Sequence, residues 1–279
     1  GLLERDINIS HDGNTIYFGV MDLGLVTVMV TRQVDGRWTQ PVSAGFHPDR
    51  QTACFEPTFS ADGHTVFFLA NQAAPGQTPG PGWTNQNIFT SKSTDGHWSP
   101  PVALPGPVTS SAAEYFPSLA ADGTLYFSRE DGQGHPFLWS ADPFEGGYAE
   151  PVRLSELVNV GTSCYNAFVA PDESFLIACV AGHEDNLGPA DYWISFRDDQ
   201  GAWQSARNLG ELFNGPDSRA SSAFLSPDGQ YLFFSSSRVS PFEGERLTRA
   251  DLQNIHAGPG NGASDIWWVS AEVLDRYRP

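Results

Sequence analysis

Apolar and polar residues alternate along this chain in short runs, and one recurring turn punctuates them. ISHDGNTIYF (9–18), FSADGHTVFF (59–68), LAADGTLYFS (119–128), VAPDESFLIA (169–178) and LSPDGQYLFF (225–234) each place a polar turn between two apolar stretches. Short runs rich in β-branched and aromatic residues, bounded by Gly, Pro, Asn and Asp, predict strands. The turn aspartates Asp12, Asp62, Asp122, Asp172 and Asp228 are spaced by 50, 60, 50 and 56 residues. Self-similarity at that period predicts propeller blades.

Each unit reads as four strands. Strand a precedes the Asp turn and strand b follows it. Strand c comes next (VTVMVTRQ, NIFTSKS, FLWSAD, DYWISFR, DIWWVSA), and strand d starts near an aromatic (RWTQPV, HWSPPVAL, GYAEPVRL, AWQSARNL). The expected fold is therefore all-β: a five-bladed β-propeller of four-stranded antiparallel blades, one domain over residues 1–279. A six-bladed ring is the alternative, but it needs about 50 more residues at this period, and no spare segment of that size exists. A sandwich leaves the tandem repeat unexplained. In blade five AEVLDRYRP stands in place of strand d, and Ser270 is positioned to cap a helical turn there. The a–b and c–d turns are short and regular, whereas the b–c and d–a loops vary. Variable loops on a rigid scaffold carry binding, so the b–c/d–a face is the expected functional face, with strand a lining the channel. Trp38, Trp98, Tyr148 and Trp203 recur at one repeat position and are expected to pack between blades.

The formal charge is −18, and Lys92 is the only lysine among 15 basic residues. Without a basic patch, nucleic acid and anionic membranes are poor partners. No apolar run is long enough to insert into a bilayer. The chain opens almost inside a strand pattern, which is the expectation for a mature chain whose export signal lies outside it. The three cysteines, Cys54, Cys164 and Cys179, are too few and odd in number for a disulfide framework. Cys54 and Cys164 hold matching positions in non-neighbouring blades and read, with Cys179, as buried thiols.

The SPDG at 226–229, followed by YLFFSSSR and DIWWV (265–269), resembles the WD-like propeller repeats of TolB-type proteins. The Gly-His and Trp-Asp signatures of true WD repeats are absent, and Glu173 replaces the turn glycine in blade four. The resemblance spans nearly the whole chain, and FEPTFSADG, EYFPSLAADGTLYF and the ending DIWWVSAEVLDRYRP are similar to a subgroup of exported single-domain bacterial proteins. It implies the fold and a periplasmic or secreted location. Related propellers serve as interaction scaffolds, as gating domains of prolyl-peptidase-type enzymes and as polysaccharide lyases.

The turn aspartates read as hairpin residues, because an Asp side chain accepts N–H bonds from two residues on and Gly supplies the positive φ. Counting back eight from each gives Glu4, Cys54, Glu114, Cys164 and Ala220. Counting back six gives Asp6, Glu56, Phe116, Asn166 and Ser222. In a closed ring these positions face one axis. Asp6, Glu56 and Glu114 are then candidate ligands of a divalent cation such as Ca²⁺, or an acid/base cluster, with Glu4 and Asn166 beside them. The competing reading has them bonding backbone N–H groups of adjacent blades. Among the histidines, His47, His135, His183 and His256 fall in variable loops, and GHED (182–185) puts His183 beside two carboxylates. Glu56, Glu114, His135 and His183 are the catalytic candidates. There is no G-x-S-x-G elbow and no H-E-x-x-H. Trp83, Tyr115, Phe137, Tyr165, Tyr192 and Phe242 offer aromatic platforms, and Arg5, Arg219, Arg238 and Arg246 offer carboxylate clamps. A capping box from Thr248 to Asp251 makes the longest loop a candidate lid. The expected function is carbohydrate or peptide binding at the channel mouth on the b–c/d–a face. A metal-assisted lyase or hydrolase and a protein-interaction scaffold remain as alternatives.

Overall fold

A computed structural model describes residues 2–22, 25–46, 52–94, 97–242 and 246–279, so His47 lies outside the described residues. The chain forms five antiparallel sheets set as blades of a β-propeller. The inner strands a are Leu3–Ile9, Cys54–Phe59, Glu114–Leu119, Ser163–Val169 and Ala220–Leu225. Strands b are Thr15–Asp22, Thr65–Ala70, Leu125–Glu130, Phe175–Ala181 and Tyr231–Ser236. Strands c are Leu25–Val34, Asn87–Thr94, Pro136–Ala141, Asp191–Phe196 and Asp265–Ser270.

Strand d is short, only Val42–Ser43, Val102–Ala103, Val152–Arg153 and Arg207–Asn208. In blades one to three a proline (Pro41, Pro101, Pro151) directly precedes it. Lacking an N–H, proline cannot continue the ladder, so the outer edge is interrupted and blunted. Blade five has three strands. After strand c the Ser270 hydroxyl accepts the Glu272 N–H and starts a 3₁₀ helix, Ala271–Tyr277. Leu274 sinks into the core between blades four and five, and the Tyr277 hydroxyl donates to the Leu209 carbonyl at 2.6 Å.

All five turn aspartates play the hairpin role. Each accepts the N–H two residues on, at 2.9–3.0 Å, from Asn14, His64, Thr124, Ser174 and Gln230. Glu173 adopts φ 55°, where the other blades use glycine. Its carboxylate has a reason to be there: Tyr126 of blade three donates to it, and Arg197 bridges to it at 3.0 Å. The exception to the repeat thus fastens blade four to blade three.

Apolar side chains from facing sheets fill four seams. Val28 and Val30 meet Val66 and Phe68; Phe67 and Ile88 meet Leu125 and Phe127; Tyr126 and Leu138 meet Leu176 and Val180; Ile177 and Tyr192 meet Leu232 and Phe234. Each such side chain contributes roughly 1.5–3 kcal/mol on burial. Trp98, Tyr148 and Trp203 pack at these seams as the repeat predicts. The seam between blades five and one has no comparable cluster among the described residues. Trp38, Tyr231 and Trp268 remain 44%, 40% and 62% exposed. Polar links span this seam: Glu4 N–H to the Ser264 carbonyl at 2.8 Å, and Asp6 N–H to Ser222 Oγ at 3.0 Å.

The seam between blades five and one should open first. In native-state hydrogen exchange the Glu4 and Asp6 amides are expected to exchange before those of Phe68 and Leu176. Ser222→Ala should lower stability by roughly 1–3 kcal/mol, because it leaves the Asp6 N–H buried and unpaired. Exchange of these amides only through global unfolding would show this seam to be as strong as the rest.

Candidate functional site

Each inner strand carries a β-bulge, at the same place relative to the turn aspartate in blades one to four and one residue earlier in blade five. Register with strand b slips by one residue between Arg5 and Asn8, Phe55 and Thr58, Tyr115 and Ser118, Tyr165 and Phe168, and Ala220 and Ala223. The first extra residue is Asp6, Glu56, Phe116 or Asn166 in blades one to four, with φ between 51° and 57°. A left-handed non-glycine residue costs of order 1–3 kcal/mol unless its surroundings hold it. Here they do, because the bulge turns each N–H toward the preceding blade. Asp6 N–H donates to Ser222 Oγ at 3.0 Å, and Phe116 N–H donates to Glu56 Oε2 at 2.8 Å. The Glu56 N–H lies near the Asp6 carboxylate and helps to hold its pKa down. Phe116 has no acceptor to offer, so the Asn166 N–H goes to Ser128 Oγ at 2.9 Å. The Ser222 N–H goes to the Tyr192 hydroxyl at 3.2 Å. These contacts run from each blade to the one before it round the channel.

Arg5 completes the cluster. Its Nε donates to both Asp6 oxygens at 2.8 Å, and its Nη2 donates to Glu56 Oε1 at 3.1 Å. Asp6 and Glu56 are 4% and 5% exposed. Burial works against the guanidinium charge, but the two carboxylates outweigh it and hold Arg5 charged. Burial pushes the Glu56 carboxyl up to about 8; Arg5 opposes this and the Asp6 charge adds to it. Burial raises Asp6 as well, against Arg5 and Ser222. Asp6 accepts more donors, so the proton shared by the pair resides on Glu56.

A carboxyl raised in the folded state binds a proton that the unfolded chain has already released. Its contribution to stability is therefore greatest below the ordinary carboxylate range and fades as pH rises toward 8. Melting temperature should fall between pH 5 and 8, with this group contributing up to about 1.4 kcal/mol per pH unit. Glu56→Gln should flatten that slope; an unchanged slope in the variant would place the proton elsewhere.

The cluster forms a plug at mid-channel. On its turn side lies a cavity of about 600 Å³ that reaches the a–b turns. Asp6, Glu56, Phe116 and Ser222 form its floor, and Phe59, Leu119, Phe168 and Leu225 are among its wall residues. The 3₁₀ helix brings Arg278 to the rim. The cavity thus lies toward the face opposite the one that loop length points to. Its walls were readable by the same counting: three residues before each turn aspartate stand Ile9, Phe59, Leu119, Val169 and Leu225, all apolar and all part of the wall. Nothing in the repeat announces Arg278.

On the loop side of the plug, Tyr115 and Tyr165 lie close enough to Arg5 for its charge to oppose the burial that raises both hydroxyls. Trp83 stands edge-on to Phe55 at 5.6 Å. The Asn166 side chain donates to the Ser221 carbonyl at 2.7 Å. The other sequence candidates are elsewhere. Glu114 binds the Ser110 hydroxyl and N–H and Arg129 Nε, and Arg129 also holds the Pro107 and Val108 carbonyls of the preceding loop. Among the described residues, no three His, Cys, Asp or Glu side chains gather as a metal group, so Glu114 does not join Asp6 and Glu56. Arg238 repeats the Arg129 device: it lies over Phe234 and Trp267 and donates to the Leu212 and Phe213 carbonyls.

His135 sits half-exposed beside Asp131, at 3.7 Å. His183 stacks on Trp193 at 4.3 Å, and its Nδ1 accepts the Asp185 N–H. Neither bonds to Asp6 or Glu56. Glu4 lies at the seam between blades five and one, and Arg219 donates its N–H to Ser237 Oγ. Tyr192 and Phe137 are strand residues, not loop platforms; the Tyr192 hydroxyl donates among the Ser222 and Ser235 carbonyls. The helix Arg249–Ala257 has the predicted Thr248–Asp251 capping box and buries none of its residues. All three cysteines are buried and free.

These elements define a β-propeller with a plugged, half-open channel. No protein-family model and no curated protein matches the sequence. Among solved structures, the chain is similar to a putative TolB from Agrobacterium tumefaciens, with TM-score 0.52, 14% identity, and coverage of 88% of this chain and 73% of that one. It is also similar to a gluconolactonase from Xanthomonas campestris, with TM-score 0.53, 16% identity, and coverage of 86% and 71%. Against TolB from Acinetobacter baumannii the TM-score is 0.49 at 14% identity; the match covers 83% of this chain but 48% of that one, about half its length. At such identities the likeness is one of fold.

Proposed function

We propose that this propeller is a binding protein that takes its ligand into the central channel from the a–b turn face. The observation that carries the reading is the cavity of about 600 Å³, walled by apolar side chains and floored by buried polar groups. That is the usual form of a ligand site: concave, mostly apolar, with a few convergent polar groups. Of the two ligand classes expected from the sequence, an apolar peptide end suits these walls better than a carbohydrate, whose many hydroxyls need many partners. Acid/base catalysis has less support. Asp6 and Glu56 are tied to Arg5 and to backbone N–H groups, and His135 and His183 are engaged elsewhere. The reading goes with an exported protein, periplasmic or secreted, as the TolB-type resemblance implies.

A thermal-shift screen of hydrophobic peptides and small molecules tests it. A ligand present at about 100 times its Kd should stabilise the wild type by about 2.7 kcal/mol. Leu225→Trp, which fills the cavity, should abolish that stabilisation, and Trp83→Ala on the opposite face should leave it intact. The reverse pattern would place the site at the loop-face mouth, and a response to neither variant would favour a scaffold.

A further inference from the structure

The floor of the cavity holds two carboxylates and one guanidinium. Asp6 and Glu56 both line it, and among the described residues Arg5 is the only basic side chain bonded to them. The other titratable groups packed around this cluster, Tyr115, Tyr165, Tyr192 and Cys179, are all kept neutral by burial. Arg278 stands at the rim with its Nε on Asp275 at 2.9 Å, and His11 and Asp172 are also at the turns. Two carboxyl groups at the bottom of an apolar cavity thus share one guanidinium, and the place of a second positive charge is taken by the proton on Glu56. An unpaired charge in such a place is costly, and a positive charge brought there is favoured.

Resting on the reading of the cavity as the ligand site, we infer that the ligand is a primary ammonium on an apolar body. The ammonium sits at the Asp6–Glu56 floor and the body lies against the walls. An ammonium takes the place of the Glu56 proton, which is released to solvent, and brings three N–H donors for carboxylate lone pairs that Arg5 leaves free. A divalent cation suits the floor less well. It needs six to eight oxygen ligands in the case of Ca²⁺, and both Asp6 oxygens are already bonded to Arg5. An anionic ligand meets like charge. Phe59, Phe168 and Phe224 line the cavity and suit an aromatic or aliphatic body.

Calorimetry at pH 7 with phenethylamine and its neutral isostere 2-phenylethanol tests the charge. The amine should bind at least about tenfold more tightly than the alcohol, since charge-assisted hydrogen bonds are roughly twice as strong as neutral ones. Glu56→Gln or Asp6→Asn should bring the two within about threefold, removing the second carboxyl while keeping a hydrogen-bonding group. Leu225→Trp should abolish both. A dipeptide amide, Phe-Leu, with a free or an acetylated N-terminus distinguishes the source. Binding by the free form alone points to a peptide end, and binding by phenethylamine but neither peptide points to a small amine. If the alcohol binds as tightly as the amine and Leu225→Trp removes both, the cavity reading stands and the ammonium is wrong. If neither probe binds the wild type, both inferences fall.

Discussion

The fold depends on a ring of hydrogen bonds at the bulges of the inner strands. A propeller must hold five sheets at a common axis, where the backbones converge and little apolar surface is available. The bulge solves this by turning one N–H per blade sideways, toward its neighbour. The neighbour answers with whatever acceptor it has: Ser222 for Asp6, Glu56 for Phe116. Elsewhere a hydroxyl from strand b or c reaches in, as Ser128 and Tyr192 do. The left-handed backbone at Glu56 and Phe116 is unfavourable locally, and the links that it permits offset the cost. Charge enters because two of the acceptors are carboxylates, and Arg5 then becomes necessary to the core.

Four seams combine this polar ring with an apolar interior. The fifth relies much more on the ring, because blade five ends in a 3₁₀ helix that packs toward blade four. Its last strand keeps an exposed Trp268 where the other blades have a fourth strand at the edge. The same helix sets Arg278 beside the cavity, so the segment that weakens the closure also shapes the mouth.

Much of the fold was legible because the repeat is local chemistry. Each Asp side chain and the N–H two residues on sit within one turn, so Asp12 through Asp228 announce the hairpins without any long-range knowledge. Counting from those turns also found Asp6, Glu56 and Asn166. It did not reveal that the bulge would bind them to neighbouring backbones, since register slips leave no mark in hydrophobic alternation. Glu114 misled for a related reason. It is two residues before the bulge, where Arg129 and the preceding loop claim it. Arg238 looked like a ligand clamp because its carbonyl partners, on Leu212 and Phe213, lie 26 and 25 residues away in sequence. The turn-side cavity was hidden by a preference for long loops, although the apolar residues three before each Asp were visible.

The plug at mid-channel makes the propeller a cup and not a pipe. A guanidinium is held there between two carboxylates, with Phe55 under it at 5.4 Å. The cavity among the a–b turns ends at Asp6, Glu56, Phe116 and Ser222. The two ends of the molecule present different surfaces, and each is free to diverge in what it recognises. The one material they share is Arg5, whose neighbours lie on both sides: Tyr115 and Tyr165 toward the loops, Glu56 toward the cavity. A change in charge on one side reaches the other through that single side chain.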